Sequence, residues 1–92
     1  MFVKFSSHAL EKMRSRKVKI SDVYATLRAP DEIYEDIEHE TFIAVKKVNG
    51  KFIILAYRME KDGAKVITLF YTTKLDRLLK NKTARGAWKK TK

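Results

Sequence analysis

The sequence predicts an α+β domain, in which an N-terminal helix pair packs on one face of a three- to five-stranded antiparallel sheet, followed by a short C-terminal helix and a basic tail. Two turn signals predict the sheet, because Asn49-Gly50 and Asp62-Gly63 each separate runs of β-branched and aromatic residues. Asn-Gly favours a hairpin, since both positions of its two-residue turn adopt positive φ. Capping residues and the helical spacing of apolar side chains predict the helices.

The first third of the chain predicts a short strand followed by two helices. Residues 2–5 alternate apolar and polar side chains, which is typical of an edge strand. Ser6 or Ser7 supplies the N-cap of the first helix, and Ser21 supplies that of the second. Pro30 ends the second helix, because proline interrupts the backbone hydrogen bonds of a helix.

The three strands between residues 40 and 72 form a predicted meander, and its turns set the register. With Asn-Gly as the whole first turn, Val48 lies opposite Lys51. Across the second turn, we expect Lys61 to lie opposite Ala64.

This register gives the meander one aliphatic face and one mixed face. The aliphatic face includes Ile43, Ile54 and Leu69, and we expect it to receive the helices. The other face includes Lys46 and Tyr57, and we expect it to meet a ligand or a partner.

The C-terminal part predicts a short helix and then a basic tail. Three leucines at helical spacing follow the last strand: Leu75, Leu78 and Leu79. The remaining segment is basic and lacks apolar periodicity. We therefore divide the chain into a single domain over residues 1–80 and a tail over residues 81–92.

The charge of the chain is large and unevenly distributed. The formal net charge is +10, and an acidic segment over residues 31–40 separates basic segments on either side. Such segregation attracts a polyanion to one side of the molecule, which favours a nucleic-acid partner. The chain contains no cysteine and no apolar run long enough to span a membrane, so we predict a cytoplasmic protein without a membrane partner.

His8 is the leading catalytic candidate. It lies in the first turn of the first predicted helix, close to Lys12 and Arg14. A neutral histidine beside basic residues can take a proton from a ribose 2′-OH during RNA cleavage. The alternative is a surface or capping histidine. The second histidine, His39, stands between two acidic residues without another histidine nearby, so we expect no metal site and no cofactor.

Basic residues form the next set of candidates, because cleavage of a phosphodiester without a metal needs cations around the scissile phosphate. Lys46 and Lys74 are the preferred positions for this role, and Arg16 adds a guanidinium fork that matches a phosphate. The other basic positions expected to contact nucleic acid are Lys12, Arg14, Lys47 and Arg58. A solvated surface charge is the alternative for each of them.

Three aromatic residues are candidates for contact with bases: Tyr57, Tyr71 and Trp88. The two tyrosines fall in predicted strands, where tyrosine is also a common β former. Trp88 stands among Lys and Arg residues, which suits stacking on a base beside a phosphate. The alternative for Trp88 is a hydrophobic peg that docks the tail on the domain.

Four segments of the sequence resemble a known family. They are H-A-L-E-K-M-R-S-R-K-V-K-I-S-D-V, A-P-D-E-I-Y-E-D, V-N-G-K-F-I-I-L-A-Y and K-V-I-T-L-F-Y, within residues 5–75. They resemble small uncharacterised bacterial and archaeal domains with a His-Ala-x-x-Arg-Met helix, which are similar to the RelE and BrnT ribonuclease toxins and to the barnase and colicin type of ribonuclease fold. The resemblance implies that His8 is the helix histidine and Arg16 the later helix arginine. Lys12 replaces the arginine before Met, which keeps the charge but not the bidentate fork.

The resemblance implies a metal-independent endoribonuclease of toxin–antitoxin type that acts on RNA, free or bound to a ribosome. Its catalytic residues would be His8 and Arg16, which the resemblance indicates, together with Lys46 and Lys74, which are chosen for their charge and position. Its expected partners are RNA, an antitoxin protein and, in a homodimer, a second copy of the chain. Two alternatives stay open: a non-catalytic nucleic-acid-binding module, and a protein-interaction or dimerisation domain.

Overall fold

The computed structural model describes residues 2–91, and these form one mixed sheet of six strands with three helices. The elements in chain order are β1 (Phe2–Phe5), α1 (Ser7–Ser15), α2 (Ile20–Arg28), β2 (Glu32–Asp36), β3 (Thr41–Val48), β4 (Lys51–Glu60), β5 (Gly63–Thr72), α3 (Leu75–Ala84) and β6 (Trp88–Lys90). The strands lie in the order β1-β5-β4-β3-β2-β6. None of the helices in this range is long and apolar enough to span a membrane.

This architecture corrects the predicted fold class. The part of the chain that the structure describes has six strands rather than three to five, and β1 runs parallel to β5. The sheet is therefore mixed, and a helix pair on one face of an antiparallel sheet is the wrong description. The prediction failed because β1 and β6 pair with strands that are distant in sequence, and no short turn sequence indicates such pairing.

The first hairpin of the meander has the predicted register. Val48 lies opposite Lys51, and the pairing continues along β3 and β4 without a shift. Asn49 and Gly50 have φ values of 48° and 80°, as the two-residue turn requires.

The second hairpin differs from the predicted pairing of Lys61 with Ala64. Glu60 lies opposite Gly63, and a bulge leaves Ile67 as an extra residue on β5. The glycine is therefore the first residue of the strand and not part of the turn. Because glycine has no side chain, the backbone of β1 can lie where the Cβ of another residue would be.

Helices cover both faces of the sheet. α1 and α2 pack on the face that contains Ala44, Leu55 and Tyr57, together with Leu69, which the bulge brings to this face. α3 packs on the opposite face, against a core that contains Ile54. The expected open mixed face is therefore wrong, because the N-terminal helices bury it.

The two N-terminal helices begin in different ways. Ser6 caps α1 as predicted, since its Oγ accepts a hydrogen bond from a backbone N–H of the first turn at 3.0 Å. α2 begins before Ser21, with Lys19 at the N-cap position. A tertiary contact holds this end: the Tyr71 hydroxyl accepts from the Lys19 N–H at 3.1 Å and donates to Asp22 Oδ2 at 2.6 Å.

The predicted boundary between domain and tail, at residue 80, falls inside α3. Residues 88–90 then pair with β2 and extend the sheet. Trp88 is 6% exposed and lies in the core under α3. The segment is thus docked on the domain, as the alternative for Trp88 stated.

Candidate active site

A cleft of about 550 Å³ opens between α3 and the sheet, on the face opposite α1 and α2. Its volume falls within the range of small-ligand sites. Most of its lining is apolar: Ile43, Ile54, Ala56, Ile67, Phe70 and Leu78. Polar and aromatic side chains complete it: Asp36, His39, Thr41, Arg58, Thr68, Lys82 and Trp88. The cleft therefore combines an apolar floor with groups that can carry charge.

Asp36 and His39 form a hydrogen-bonded pair where β2 ends. His39 Nδ1 lies 2.9 Å from Asp36 Oδ2, and the His39 backbone N–H donates to Oδ1 at 3.0 Å. The side chain of Asp36 is 9% exposed, whereas that of His39 is 70% exposed. The pair thus joins a buried carboxylate to an imidazole that a substrate can reach.

Hydrogen bonds keep the Asp36 carboxyl ionised. Burial alone would raise its pKa, but the two donors of His39 and the indole N–H of Trp88, 3.2 Å from Oδ2, hold the pKa below its ordinary value of 3.8. A carboxylate only accepts hydrogen bonds, so His39 Nδ1 carries the proton of their contact. In the neutral imidazole the lone pair is then on Nε2, which makes this atom a proton acceptor.

Two cations line the cleft beside this pair. The Arg58 guanidinium donates to the backbone oxygen of His39 at 3.4 Å. Lys82, on α3, places its Nζ 5.6 Å from the centre of the Trp88 ring. Cations beside a proton acceptor suit an anionic substrate, because they stabilise charge that develops in the transition state.

The same turn also gathers three residues that could hold a metal ion. One ligand atom from each of Asp36, Glu38 and His39 lies within 4.8 Å of the others. Asp36 and His39 already bond to each other, and Glu38 lies 3.8 Å from Arg85. A metal ion would have to replace these contacts. We therefore interpret Asp36 and His39 as a hydrogen-bonded pair and not as metal ligands.

Comparison with known proteins identifies the family. The family model described as Domain of unknown function (DUF4258) matches residues 5–71. The chain belongs to the DUF4258 family. No curated protein and no solved structure matches it. The DUF4258 match ends within β5, so it includes the sheet side of the cleft, whereas α3 and β6 follow it.

Three residues predicted from the sequence lie at or beside the cleft of this DUF4258 protein. Arg58 and Trp88 line it. The Arg16 guanidinium donates to the backbone oxygen of Leu69 at 3.0 Å, and its Cζ lies 5.9 Å from the centre of the Phe70 ring. Because Phe70 lines the cleft, Arg16 lies next to one of its walls.

Three other predicted residues lie on α1, away from the cleft: His8, Lys12 and Arg14. His8 and Arg14 are exposed, and Lys12 is half-buried. Since α1 packs on the opposite face of the sheet, the structure separates His8 from the pair of Asp36 and His39.

Lys46 and Lys47 hold the segment before β2 against β3. Lys46 Nζ donates to the backbone oxygen of Ala29 at 2.8 Å and lies 3.9 Å from Asp31. The Lys47 backbone N–H donates to Asp31 at 2.8 Å, while its side chain is exposed. In this arrangement Lys46 has an intramolecular partner in place of a phosphate.

The two predicted tyrosines and Lys74 also lie outside the cleft lining. Tyr57 is 8% exposed and packs on Phe42, with ring centres 5.9 Å apart. Tyr71 connects β5 to α2, and Lys51 Nζ lies 3.9 Å from the centre of its ring. Lys74 is exposed at the N-cap of α3.

Sequence reasoning missed Asp36, Thr41 and Lys82, and it weighed His39 only as a metal ligand. One signal was present, because aspartate side chains often accept backbone N–H groups of the turn that follows them. Asp36 is the last residue of β2, and His39 follows it by three residues in the turn that leads to β3. Thr41 has no comparable signal, since its position in the cleft depends on the packing of α3.

Proposed function

We propose that this DUF4258 protein is a metal-independent endoribonuclease, of the toxin type that its sequence resembles, and that it acts through the cleft. The observation that carries the proposal is the contact of 2.9 Å between Asp36 and His39, with Arg58 bonded to the same turn. This arrangement supplies an oriented proton acceptor and a cation at one place. His39 therefore takes the role that the sequence suggested for His8.

The chemistry follows from these positions. His39 Nε2 takes the proton of the ribose 2′-OH, the 2′ oxygen forms a bond to phosphorus, and the bond from phosphorus to the 5′ oxygen breaks. The leaving 5′ oxygen takes a proton from solvent or from the imidazolium of His39. Arg58 and Lys82 stabilise the negative charge on the phosphoryl oxygens during this transfer. Asp36 orients the imidazole and stabilises its charged form.

The charge of the molecule supports RNA as the substrate. The net charge of +10 attracts a polyanion and speeds its encounter with the protein. A cytoplasmic location and a neutralising antitoxin protein belong to the same proposal, because an active ribonuclease of toxin type needs both an RNA target and a means of inhibition.

The test compares the two histidines of the chain. Wild type, His39→Ala and His8→Ala are incubated with a fluorescent single-stranded RNA in EDTA, and with the same RNA carrying a 2′-deoxy residue at the cut site. We expect cleavage by wild type and by His8→Ala, and a loss of about 10²- to 10⁴-fold in rate for His39→Ala. The 2′-deoxy RNA should stay intact at that site.

Three results would contradict the proposal: cleavage that EDTA abolishes, cleavage that depends on His8 but not on His39, or no cleavage of free or ribosome-bound RNA. With the last result, binding that weakens steeply with salt would favour a non-catalytic nucleic-acid-binding module. The exposed basic residues of α1, such as Arg14, favour that second function.

A further inference from the structure

A buried hydroxyl in the cleft takes no part in the proposed proton transfer. Thr41 is 4% exposed, and within residues 2–91 its Oγ1 has no hydrogen-bond partner. A buried hydroxyl without a partner loses its bonds to water and gains nothing in return. Thr41 lines the cleft, so a rotation of its side chain that turns Oγ1 towards the cleft lets a ligand there supply the missing bond.

The surroundings of this hydroxyl limit the kind of ligand. Phe70, Ile54 and the buried Trp88 give the cleft apolar and aromatic walls, which suit a flat ring better than a sugar. The Trp88 ring packs against the ring of Tyr34, with ring centres 5.9 Å apart. Arg58, at the same cleft, suits an anion attached to the ring.

We propose that the cleft binds one unstacked nucleobase of single-stranded RNA, with a polar atom of the base bonded to Thr41 Oγ1 and the attached phosphate near Arg58 and Lys82. A nucleotide joins a flat ring, a polar ring edge and an anion in one molecule, which is the combination that the cleft offers. The inference rests on the proposed function and adds to it the subsite that chooses where the RNA is cut.

The binding test uses the tryptophan of the chain, since Trp88 is its only one and lines the cleft. The full chain is titrated with each of the four ribonucleoside 5′-monophosphates, and Trp88 fluorescence is recorded after correction for nucleotide absorbance. Ribose 5-phosphate, which has the phosphate and sugar but no base, is the matched control ligand. We expect a saturable change with at least one nucleotide and none with ribose 5-phosphate.

The variant test uses Thr41→Val, which keeps the shape of the side chain and removes the hydroxyl. We expect its affinity for the preferred nucleotide to fall by about three- to tenfold, the effect of one hydrogen bond. Its midpoint of thermal unfolding should rise, because an unpaired buried hydroxyl is gone. Thr83→Val, on the exposed side of α3, is the matched control and should bind as wild type.

A Thr41 with a purely structural role gives the reverse pattern: Thr41→Val unfolds at a lower temperature and binds nucleotides as before. That result, or equal responses to nucleotides and ribose 5-phosphate, overturns the inference. If nucleotide binding depends on Thr41 but no RNA is cleaved, the base subsite is supported and the ribonuclease activity is contradicted. If RNA cleavage depends on His39 but no nucleotide binds, the ribonuclease activity is supported and the base subsite is contradicted.

Discussion

At the residue scale, the Asp36 carboxylate organises one end of the cleft. It accepts hydrogen bonds from the backbone and imidazole of His39 and from the indole of Trp88. These partners come from the turn after β2 and from β6. One buried carboxylate thus fixes the proposed acid-base group and joins the last strand to the sheet.

This arrangement predicts a specific dependence of stability on acid. Because the pKa of Asp36 is lowered in the folded protein, its contribution to stability is complete above the ordinary pKa of 3.8 and is lost as pH falls through the folded value. Asp36→Asn should lower the free energy of unfolding at pH 7 by about 2 kcal/mol, the value of a hydrogen bond to a charged group. It should also flatten the acid side of the stability profile.

The measurement is urea unfolding between about pH 2 and pH 7. Glu35→Gln, at the exposed neighbouring position on β2, is the control. An acid profile of Asp36→Asn that matches wild type would show that the carboxylate does not have the assigned partners.

The difference between the two histidines shows what sequence can say about such a site. His8 was favoured because helix position and neighbouring charges are local properties that a sequence displays. The role of His39 depends on the burial of Asp36 beside Trp88 of β6, and this burial comes from pairing between strands that are distant in sequence. Arg58 and Trp88 were predicted as site residues from their charge and aromatic character. The sequence did not predict the cleft that brings them together.

At the element scale, β1 depends on a glycine in its partner strand. It pairs in parallel with β5, and the backbone of Phe2 lies so close to Gly63 that a Cβ there would overlap its carbonyl group. Gly50 differs, because the space around it is open and only its φ of 80° disfavours a side chain. A substitution at Gly63 therefore tests the close contact with β1, whereas the same substitution at Gly50 tests only the need for a positive φ.

Gly63→Ala should release β1 from the sheet. We expect a loss of about 1–3 kcal/mol in the free energy of unfolding, as for other overpacked sites, and faster amide hydrogen exchange in residues 3–5. Gly50→Ala should cost about 1 kcal/mol through backbone strain and leave exchange in β1 unchanged. Unchanged exchange in residues 3–5 of Gly63→Ala would exclude the close contact.

The two glycines also explain which elements the sequence could predict. The first hairpin was predictable in full because Asn49-Gly50 specifies a two-residue turn. The second was predictable as an element, but its register was not, because Gly63 serves β1 instead of the turn. β6 has three residues, too few for a periodic pattern, and was therefore assigned to a tail.

At the scale of the whole molecule, two cores on opposite faces of the sheet stabilise the fold, while the charges mainly shape its surface. The acidic segment 31–40 meets basic partners from the rest of the chain. Its ion pairs are Glu32 with Lys90 at 3.2 Å, Glu38 with Arg85 at 3.8 Å and Asp31 with Lys46 at 3.9 Å. Exposed pairs contribute about 1 kcal/mol or less each, so they orient the segment more than they stabilise the domain.

The buried tyrosines lead us to expect a loss of stability at alkaline pH. Burial, with a hydrogen bond to Glu32, raises the pKa of Tyr34 to about 12, and burial also raises the pKa of Tyr57 and of Tyr71. A raised pKa means that the contribution to stability is complete below the ordinary value of 10.0 and is lost as pH rises through the folded value. We therefore expect the free energy of unfolding to fall between pH 10 and 12.

Denaturant titrations over this interval measure the effect. Tyr34→Phe should reduce the alkaline loss, whereas Tyr24→Phe, at an exposed position on α2, should keep the profile of the wild type. Equal profiles for the two variants would argue against the burial of Tyr34.

The edge of β5 has a consequence for the solubility of the protein. β1 ends opposite Val66, and among residues 2–91 no strand pairs with the rest of β5 on that side. Ser6 and Arg16 instead bind two backbone oxygens of this edge. An uncovered strand edge can recruit a strand from another molecule and start aggregation. Because Arg16 occupies one of these oxygens, a strand from another molecule finds fewer free acceptors at this edge, whether or not Arg16 contacts RNA.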